Sequence, residues 1–348
     1  MKKLKILIEM KHGLGDCICM LPAIKLIRDT YPDAYIAILV NGKINEELFE
    51  LSKIKIDKYY YFSLKNRSKL YTLKTLYKLR KERFDIGILA TMTPASKGKG
   101  LFKLLGIKRC FGEQYQGIKE FSLDNSVHFV DRNLSVIKEL CSSPETLGPR
   151  LYAEEPKTDK FIQLLQRNRP IIGVNIGGGD KNFFKGQYVY TRNWGNNNMH
   201  RLLELLSDLS EYDIVLLGGP LEAGLVEDYG DILIKDNVFN FVNKTTIGET
   251  FYLLSRCKLS VGVDTGMQHA ADALGVNTVS IFGPTNPLTH GAYSDKASFI
   301  LSDPKVSCQY CFGRKTYYTC KSRDCLDNIT PGKVFSRVKD VLTEIAEV

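Results

Sequence analysis

A chain of 348 residues is longer than one hydrophobic core usually spans, so two domains are the first expectation. Its hydrophobic content of 44% is ordinary for a globular protein, and no apolar run approaches the ~20 residues of a transmembrane helix. The net charge of +9 would suit nucleic acid, but no motif of interleaved aromatic and basic residues typical of such binding stands out, so we expect no nucleic-acid partner.

The N-terminal half alternates between predicted strands and helices. Residues 4–9 form the first strand, because Glu9, Lys11 and Asp16 stand where a secretory signal would continue its apolar core. The further predicted elements are a helix at 18–30, a strand at 35–40, a helix at 71–81, a strand at 85–89 and a helical segment at 136–140. The stretch 142–157, rich in Pro, Gly and charge, is the expected linker.

A second alternating series follows the linker. Strands are predicted at 171–176, 213–217, 259–263 and 278–281, a short one at 232–234, and helices at 198–207, 247–255 and 267–274. An amphipathic helix with Pro331 at its start closes the chain. The pattern predicts an α/β protein of two Rossmann-like domains facing across a cleft, at 1–155 and 156–330, with a C-terminal helix at 331–348.

Residues 65–83 form a strongly basic segment. They hold eight lysines and arginines and one acid, Glu82. The apolar residues interleaved at roughly helical spacing are Leu70, Leu73, Leu76, Tyr77 and Leu79. One interpretation is a solvated basic helix with an apolar underside, and the other is a surface that holds the protein near anionic lipid or an anionic acceptor. The run Tyr-Tyr-Tyr-Phe at 59–62 fits either a membrane interface or a buried strand.

The first βα turn carries two glycines and a carboxylate. It consists of Met-Lys-His-Gly-Leu-Gly-Asp at 10–16, and its glycines let the backbone approach a ligand closely. It lacks the Gly-Lys-Ser/Thr ending of a P-loop and the third glycine of a dinucleotide fingerprint. By itself, Asp16 is interpreted as a helix N-cap.

The run Leu-Ser-Val-Gly-Val-Asp-Thr-Gly-Met-Gln-His at 259–269 is the most informative in the chain. A buried strand is followed by Asp264, Thr265 and Gly266, whose turn and capping chemistry begins a helix. In a parallel sheet, that helix N-terminus lies at the carboxyl edge and favours an anion such as a diphosphate. Aspartic proteases share the Asp-Thr-Gly tripeptide, but in an all-β fold with a second copy. A well-capped helix without a ligand is the remaining alternative.

Two more polar segments follow predicted strands of the second half. The backbone amides of Asn-Ile-Gly-Gly-Gly at 175–179 would suit a diphosphate, although a flexible turn explains them equally well. Glu222 comes after a Gly-Gly-Pro turn, where a surface glutamate needs no further role.

Three blocks of the sequence resemble the bacterial lipopolysaccharide heptosyltransferases of glycosyltransferase family 9. The nucleotide-sugar signature of that family resembles Val-Asp-Thr-Gly-Met-Gln-His-Ala-Ala at 263–271 with Gly-Val-Asn-Thr-Val-Ser-Ile-Phe-Gly-Pro-Thr-Asn-Pro at 275–287. Its opening block resembles Gly-Asp at 15–16 with Leu-Pro-Ala-Ile-Lys-Leu-Ile-Arg at 21–28 and Tyr-Pro-Asp-Ala at 31–34. Its Lys-x-Trp-Pro motif is similar to Arg-Asn-Trp-Gly at 192–195, with arginine replacing lysine and glycine replacing proline. The resemblance implies the GT-B fold.

The resemblance also implies a role for each matching residue. Asp16 matches the general base of the family, and Arg192 would neutralise the leaving diphosphate. Lys11 and Gly13, beside the base, would contact the acceptor. Glu222 would bind the ribose, Thr245 would lie near the adenine, and His269 would donate to a phosphate. With the glycines of the polar loop, the donor-binding set is Gly177, Gly178, Gly179, Glu222, Thr245, Asp264, Thr265, Gly266 and His269.

Four of the nine cysteines cluster within eighteen residues: Cys308, Cys311, Cys320 and Cys325. In a cytoplasmic protein such a cluster suits a metal better than disulfides, and four thiolates suit tetrahedral zinc or a mononuclear iron. The second pair is separated by four residues rather than two, which leaves a reduced or redox-labile cluster as the alternative. In either case the cluster would staple a loop, because a closed four-ligand site has no open position for chemistry.

The residues and the resemblance together predict an inverting glycosyltransferase that transfers heptose from ADP-heptose to a hydroxyl of a lipopolysaccharide-core-type glycan. No Asp-x-Asp metal clamp is present, so no catalytic metal is expected. The alternatives are a lipid-linked or protein acceptor, another nucleotide sugar as donor, or a non-catalytic nucleotide-sugar-binding protein. We expect a cytoplasmic enzyme with a peripheral contact at the anionic surface of the inner membrane.

Overall fold

The structure, a computed structural model, describes residues 3–62, 68–91, 93, 95–113, 127–141, 147–178, 182–184, 187–189 and 192–347. The chain divides into two compact units, Met1–Tyr152 and Ala153–Val348. Each unit contains its own parallel sheet. Of the linker expected at 142–157, residues 142–146 lie outside the described residues.

The first unit is built on a five-stranded parallel sheet. Its strands are β1 Lys5–Met10, β2 Tyr35–Val40, β3 Lys58–Tyr61, β4 Ile86–Leu89 and β5 Arg109–Phe111. Its helices are α1 Leu14–Thr30, α2 Lys43–Leu51, α3 Lys69–Glu82, α4 Ala95–Leu105 and α5 Phe129–Val136. The strand order is β3-β2-β1-β4-β5, that of a Rossmann-type half. The order reverses between β1 and β4, so the loops that follow these two strands border the crevice where such sheets bind ligands.

Continuous apolar runs located most of this sheet correctly. Strand β2 has the predicted bounds, and β1 and β4 differ from the prediction by one residue at one or both ends. The run at 59–62 supplies most of β3, which pairs with β2, and Tyr60 and Phe62 are buried. The buried-strand interpretation of that run is therefore confirmed, and the membrane-interface interpretation is wrong.

Helix α1 begins four residues earlier than predicted. Gly13 is its N-cap, and the Asp16 side chain accepts the Gly13 N–H, so the polar turn residues already form the first helical turn. The helical segment predicted at 136–140 is also wrong, because α5 ends at Val136 and residues 137–140 form turns. At the start of α1, the polar turn with its Asp16–Gly13 bond, rather than apolar periodicity, decides where the helix begins.

Helix α3 contradicts the apolar underside expected for the basic segment. The residues that it buries are Thr72, Thr75 and Leu79. Large apolar residues that it exposes are Leu70, Leu73 and Tyr77. The interleaved pattern thus predicted the helix correctly, but of its five apolar residues only Leu76 and Leu79 pack on the core. Residues 65–67, the first part of the basic segment, lie outside the part of the chain that the structure describes.

The second unit is also built on a parallel sheet. Its strands are β6 Ile171–Asn175, β7 Asn182–Phe184, β8 Gln187–Val189, β9 Asp213–Leu217, β10 Val238–Asn240, β11 Cys257–Val263, β12 Asn277–Ile281 and β13 Ala297–Ile300. Its helices are α6 Ile162–Leu165, α7 Asn196–Ser207, α8 Gly230–Leu233, α9 Ile247–Arg256, α10 Gly266–Ala273, α11 Pro287–His290, α12 Lys315–Thr319, α13 Asp324–Asp327 and α14 Pro331–Ala346, with a 3₁₀ helix at Ala223–Tyr229. The main sheet has the order β10-β9-β6-β11-β12-β13, and β7 and β8 pair separately as an antiparallel hairpin.

The centre of this sheet is formed by β6 and β11, which are almost fully buried. Asn175 and Gly262 are register partners, so both strands end at the same edge. A Cβ atom on Gly262 would lie 2.8 Å from the Cβ of Asn175, so only glycine permits this approach. The loops that follow β6 and β11 are consequently neighbours at the carboxyl edge of the sheet.

The short strand predicted at 232–234 is wrong. These residues belong to α8 and the turn after it, and the edge strand is β10. Ile232 is buried whereas Ile234 is 85% exposed, which is incompatible with a strand, where both would face the same side. Strand β9, in contrast, has the predicted bounds.

Helix α14 forms part of the core of the second unit. Thr330 is its N-cap, and Pro331 occupies the first helical turn, where the missing N–H is not needed. Val334, Val338 and Val341 pack in the cluster that includes the central strands. Within the described residues, no helix combines the length and the hydropathy that a membrane span requires.

Arg28 on α1 joins the segments that lead into β2 and β3. It is 9% exposed, and its guanidinium donates to the carbonyls of Pro32 and Ala34 and to Asp57 Oδ2, at 2.7 Å. Burial raises the pKa of Asp57, but the Ile36 N–H and the Arg28 guanidinium outweigh it and lower that pKa overall. The pair is therefore ionised and mostly shielded from water.

Replacing Arg28 with alanine should cost the first unit about 3 kcal/mol of unfolding free energy, because Asp57 loses its main cation. The measurement is urea unfolding followed by far-UV circular dichroism. The control is Lys25→Ala on the same helix, whose exposed pair with Asp29 should contribute less than about 0.5 kcal/mol. Equal effects of the two substitutions would contradict the anchoring role of Arg28.

Candidate active site

In the first unit, Asp16 lies just beyond the carboxyl end of β1. It is the third residue of α1, and its Oδ2 accepts the N–H of Gly13 at 3.2 Å. The side chain is half-buried, and its other oxygen makes no hydrogen bond within the part of the chain that the structure describes. The carboxylate therefore caps the helix and still presents one oxygen to a ligand.

A buried acid and a histidine lie directly behind this turn. Glu9, on β1, is 2% exposed, and its Oε2 lies 3.3 Å from His12 Nε2. The Thr93 hydroxyl donates to the same carboxylate oxygen and lies 2.8 Å from His12 Nε2. Lys11 Nζ lies 3.4 Å from Glu9 Oε1. One buried carboxylate thus joins the turn after β1 to the segment after β4.

The network controls its own protonation. Burial raises the pKa of Glu9, but the hydrogen bond and charge of His12, with Lys11 and Thr93, outweigh it and lower the pKa to about 2. Burial lowers the pKa of His12, but the bond to Glu9 and the charges of Glu9 and Asp16 raise it above its ordinary value. At mildly acidic pH the pair is therefore a carboxylate and an imidazolium beside Asp16.

The two predicted acceptor residues flank the same turn. Lys11 is half-buried, contacts Glu9, and lies over the Phe62 ring at 4.8 Å, so its charge is partly committed inside the unit. Gly13 is exposed. Asn45 on α2 holds the turn from the other side by donating to the His12 carbonyl at 3.1 Å.

Sequence analysis missed the Glu9 network. The available signal was Glu9 itself, a charge at the end of an apolar strand, because a buried carboxylate requires partners. Those partners on other segments, such as Thr93, are marked by nothing in their local sequence.

In the second unit, Asp264 connects three segments at the carboxyl edge of the sheet. It is 5% exposed and follows β11 directly. The Thr285 hydroxyl donates to Asp264 Oδ2 at 2.6 Å, and Arg192 Nη1 lies 3.6 Å from the same oxygen. Arg192 Nη1 also donates to the Asp264 carbonyl at 3.5 Å. The predicted leaving-group cation and the predicted signature acid are therefore in contact.

The N-terminus of α10 is lined by polar atoms that lack protein partners. Thr265 is the N-cap, yet its hydroxyl is buried without a hydrogen bond among the described residues. Gln268 is 2% exposed, and neither polar atom of its side chain has a partner there. Asn175, whose Cβ lies close to Gly262, has an Oδ1 that is unsatisfied in the same sense. Since buried polar groups normally pair, these atoms mark a place for ligand or water.

The loop after β6 approaches the same region. A Cβ on Gly177 would lie 2.1 Å from Glu222 Cγ, and one on Gly178 would lie 2.9 Å from the backbone carbon of Arg192. Glu222 Oε2 accepts the Gly219 N–H at 2.8 Å, which fixes the acid over the loop. The structure thus brings the two glycines, Glu222 and Arg192 together. Gly179 lies outside the described residues.

The remaining predicted donor residues are less central. His269 is half-buried on the first turn of α10. Thr245 lies in the loop before α9, and its hydroxyl lies 2.7 Å from that of Thr250. This loop approaches Gly218, because a Cβ there would contact both Glu222 and Val242.

The segment that carries Arg192 is held by residues 308–329, which contain the four clustered cysteines and are called the cysteine loop below. Trp194 is 1% exposed, and its Nε1 donates to the Ile329 carbonyl at 2.9 Å. Arg323 Nη1 donates to the Asn193 carbonyl at 2.7 Å. Glycine replaces the proline of the Lys-x-Trp-Pro motif at position 195. The structure explains this difference, because Gly195 has φ +98°, which proline cannot adopt.

The cysteine loop also packs on the end of the signature. Gln309 Nε2 donates to the Gly283 carbonyl at 2.8 Å, and the Cys311 N–H donates to the Pro284 carbonyl at 3.0 Å. Cys311 and Cys325 are buried, whereas Cys308 is exposed and Cys320 is intermediate. Burial, followed by the charges of the other three thiols, raises the pKa of Cys325 to about 12.

The sulfur atoms nevertheless do not form a compact ligand set. Among the described residues, three or more candidate ligand atoms within 4.8 Å of one another occur only at His200, Glu204 and Asp231. His200 Nε2 lies 2.9 Å from Asp231 and Nδ1 lies 4.0 Å from Glu204. Its two nitrogens face different carboxylates, so this is a surface ion-pair cluster.

Comparison with known proteins identifies the relatives of this chain. Residues 73–321, more than half of the sequence, match the family model of glycosyltransferase family 9 (heptosyltransferase). The chain is 26% identical to lipooligosaccharide heptosyltransferase 2 of Campylobacter jejuni over 352 residues, which cover 97% of this chain and 98% of the relative.

Two solved structures show the fold. The ADP-heptose lps heptosyltransferase II of E. coli has a TM-score of 0.70 at 20% identity, covering 98% of this chain and 99% of that chain. The dodecameric iron-containing heptosyltransferase TibC, in complex with ADP-D-β-D-heptose, has a TM-score of 0.59 at 12% identity, covering 99% and 78%. The expected α/β, GT-B-like fold is confirmed.

The Glu9 network makes the stability of the first unit depend on pH. Because the pKa of Glu9 falls from 4.5 to about 2 on folding, its contribution of about 3 kcal/mol is present above pH 4.5 and is lost as the pH falls toward 2. The contribution of His12, whose pKa is raised, is complete below 6.5 and is lost as the pH rises through the folded value. Urea unfolding at a series of pH values measures both.

The variant Glu9→Gln should remove most of the loss on the acidic side and destabilise the unit near neutral pH. Glu50→Gln, at an exposed glutamate on α2, is the control and should leave the pH profile unchanged. Parallel profiles for wild type and Glu9→Gln would contradict the assignment.

Proposed function

The chain belongs to glycosyltransferase family 9, the heptosyltransferases, and we propose that it transfers heptose from ADP-heptose to a hydroxyl of a lipopolysaccharide-core-type glycan with inversion. The observation that carries the proposal is the convergence of Gly177, Glu222 and Arg192 on the Asp264 turn at the N-terminus of α10. The names of the relatives support the donor and the acceptor class.

The second unit holds the donor in this proposal. The N–H groups at the start of α10 and the loop at 177–178 bind the diphosphate, where the helix dipole favours negative charge. Glu222 accepts hydrogen bonds from the ribose, Thr245 lies toward the adenine, and His269 donates to a phosphate. The unsatisfied Thr265 and Gln268 side chains provide further polar contacts.

Arg192 stabilises the leaving group. Arg192 Nη1 contacts Asp264, and a guanidinium can donate to two diphosphate oxygens at once. Asp264 fixes the guanidinium in place before the donor arrives, so little reorganisation accompanies the reaction. No metal is required for this charge stabilisation, in keeping with the absence of an Asp-x-Asp motif from the sequence.

Asp16, in the first unit, acts as the general base. Its free carboxylate oxygen takes the proton of the acceptor hydroxyl as that oxygen bonds to the anomeric carbon. The bond between this carbon and the diphosphate breaks, and ADP leaves with the electron pair. Lys11 and Gly13 contact the acceptor beside the base.

Three finer points belong to the same proposal. The acceptor is a core glycan, with a lipid-linked sugar or a protein hydroxyl as the alternatives. The enzyme acts in the cytoplasm and contacts the anionic surface of the inner membrane. The alternative from another functional class is a nucleotide-sugar-binding protein without turnover. An enzyme would consume the donor in the presence of acceptor, whereas such a binding protein would not.

Asp16→Asn should lower kcat by about a hundred- to ten-thousand-fold, because the amide cannot accept the proton. ADP affinity, measured by calorimetry, should change little, since the substitution lies in the other unit. ADP release from ADP-heptose with a core oligosaccharide acceptor gives kcat. The control is Asp29→Asn, an exposed acid on the same helix. A variant that keeps a third of wild-type kcat would reduce Asp16 to a helix cap.

We also propose that Cys308, Cys311, Cys320 and Cys325 hold one zinc or iron ion. Four thiols of one loop, two of them buried, are the donor set that these metals prefer. The iron-containing relative supports the choice of metal. When bound, the ion would cross-link the loop. Because that loop holds Asn193 and Trp194, it also supports the segment that carries Arg192.

Purified protein should contain about one equivalent of zinc or iron, and Cys308→Ser should lose it while Cys110→Ser, in the first unit, keeps it. Removal of the metal should change the emission of Trp194, the single tryptophan, and weaken ADP binding. Elemental analysis and fluorescence measure these outcomes. Less than about a tenth of an equivalent would contradict the site, as would unchanged Trp194 emission after metal loss.

A further inference from the structure

Helix α3 exposes three large apolar side chains. Leu70, Leu73 and Tyr77 are 62%, 64% and 63% exposed. Their spacing of three and four residues aligns them in one stripe along the helix. A surface helix normally turns such residues toward the core. Here the buried side is already formed by Thr72, Thr75 and Leu79, with Leu76 packed against the core, so packing within the unit does not explain the exposed stripe.

Cations border the stripe. The exposed basic residues of the helix are Lys69, Lys74, Lys78, Arg80 and Lys81. At about 100° per residue, Lys74, Lys78 and Lys81 fall on one side of the stripe, and Lys69 and Arg80 fall on the other. The face therefore combines an apolar centre with positive edges.

The acid on this helix does not offset these charges at the surface. Glu82 Oε2 lies 2.7 Å from Lys5 Nζ, and Glu82 Oε1 accepts the Tyr60 hydroxyl. The Lys5 contact is the largest influence on the pKa of Glu82, which is lowered, so the acid is ionised and paired inside the unit. The outward charge of α3 remains strongly positive.

A basic cavity adjoins the C-terminal end of the helix. It has a volume of about 580 Å³ and is lined by Arg80, Arg83 and Lys108, with Asp85 as its one acid. The Asp85 carboxylate accepts the Lys5 N–H at 3.0 Å. Leu104 on α4, 52% exposed, extends the apolar surface beside it, since Arg80 donates to its carbonyl.

We propose that the outer face of α3, with Leu104 and the adjoining basic cavity, docks on a bilayer that contains anionic phospholipid. The leucines and the tyrosine enter the interfacial layer, and the flanking lysines meet lipid phosphates while their stems lie along the apolar side chains. Charge complementarity selects this occupant, since an apolar protein partner would not call for cations on both edges. The proposal rests on the membrane contact included in the proposed function and deepens it by naming the surface that makes the contact.

The test is flotation of the full-length protein with vesicles of phosphatidylcholine alone or mixed with phosphatidylglycerol. Wild type should float with the mixed vesicles only, and raised salt should weaken the binding. Leu70→Ser/Leu73→Ser/Tyr77→Ser and Lys74→Glu/Lys78→Glu/Lys81→Glu should each bind at least about tenfold more weakly. Ile234→Ser and Lys258→Glu, exposed residues of the second unit, are the matched controls and should bind as wild type does.

Activity separates this proposal from the proposed function. Both α3 variants should keep wild-type transfer to a soluble, deacylated acceptor and lose it on a vesicle-bound one. Flotation without any transfer would leave the docking intact and reject the enzyme assignment. Equal binding to neutral vesicles, or unchanged flotation of both variants, would overturn the docking. A wild-type dimer that the serine variant dissociates would instead assign the stripe to self-association.

Discussion

The buried carboxylate of Asp264 is the interaction on which the second unit depends. A carboxylate removed from water must be paired, and Asp264 obtains its partners from two other segments of the chain, through Thr285 and Arg192. The same contacts that neutralise the acid therefore set the positions of the turn before α10, the segment after β12 and the guanidinium. In the first unit, Glu9 acts in a similar way, because its bond to Thr93 connects the turn of the candidate base to the segment after β4. In each unit, the candidate site thus surrounds one buried carboxylate that requires hydrogen-bonding or charged partners.

The parts of the fold that follow from local pattern were predictable from the sequence. Both sheets were located from continuous apolar runs, because strands covered by helices on both faces are apolar throughout. The strand, turn and helix of the run at 259–269 were also located, since these elements are contiguous in the sequence. Errors arose where polar chemistry decides the outcome. The start of α1 was misplaced because Gly13 and Asp16 cap it. The buried face of α3 was assigned to apolar residues alone, whereas Thr72 and Thr75 lie on it.

The long-range contacts of the site were not predictable. Thr285, Arg323 and Thr93 are ordinary residues in their local sequence, and each acts through a partner far away along the chain. The cysteine loop illustrates the same limit. Its spacing suggested a self-contained staple that lies beyond the nucleotide motifs, whereas the fold packs it between the end of the signature and the segment of Arg192. Separation along the sequence therefore did not indicate which segments contact each other in the fold.

The contact between Gly177 and Glu222 has a consequence for how such sequences can diverge. A side chain at position 177 would displace the Glu222 side chain from its present position, because its Cβ would lie 2.1 Å from Glu222 Cγ. A larger residue at position 177 is therefore compatible with the present loop only once position 222 carries a shorter side chain. The two positions should change together across descendants, in that order. Once a shorter residue stands at position 222 and the glycine has been replaced, a return to glutamate at position 222 would be sterically unfavourable.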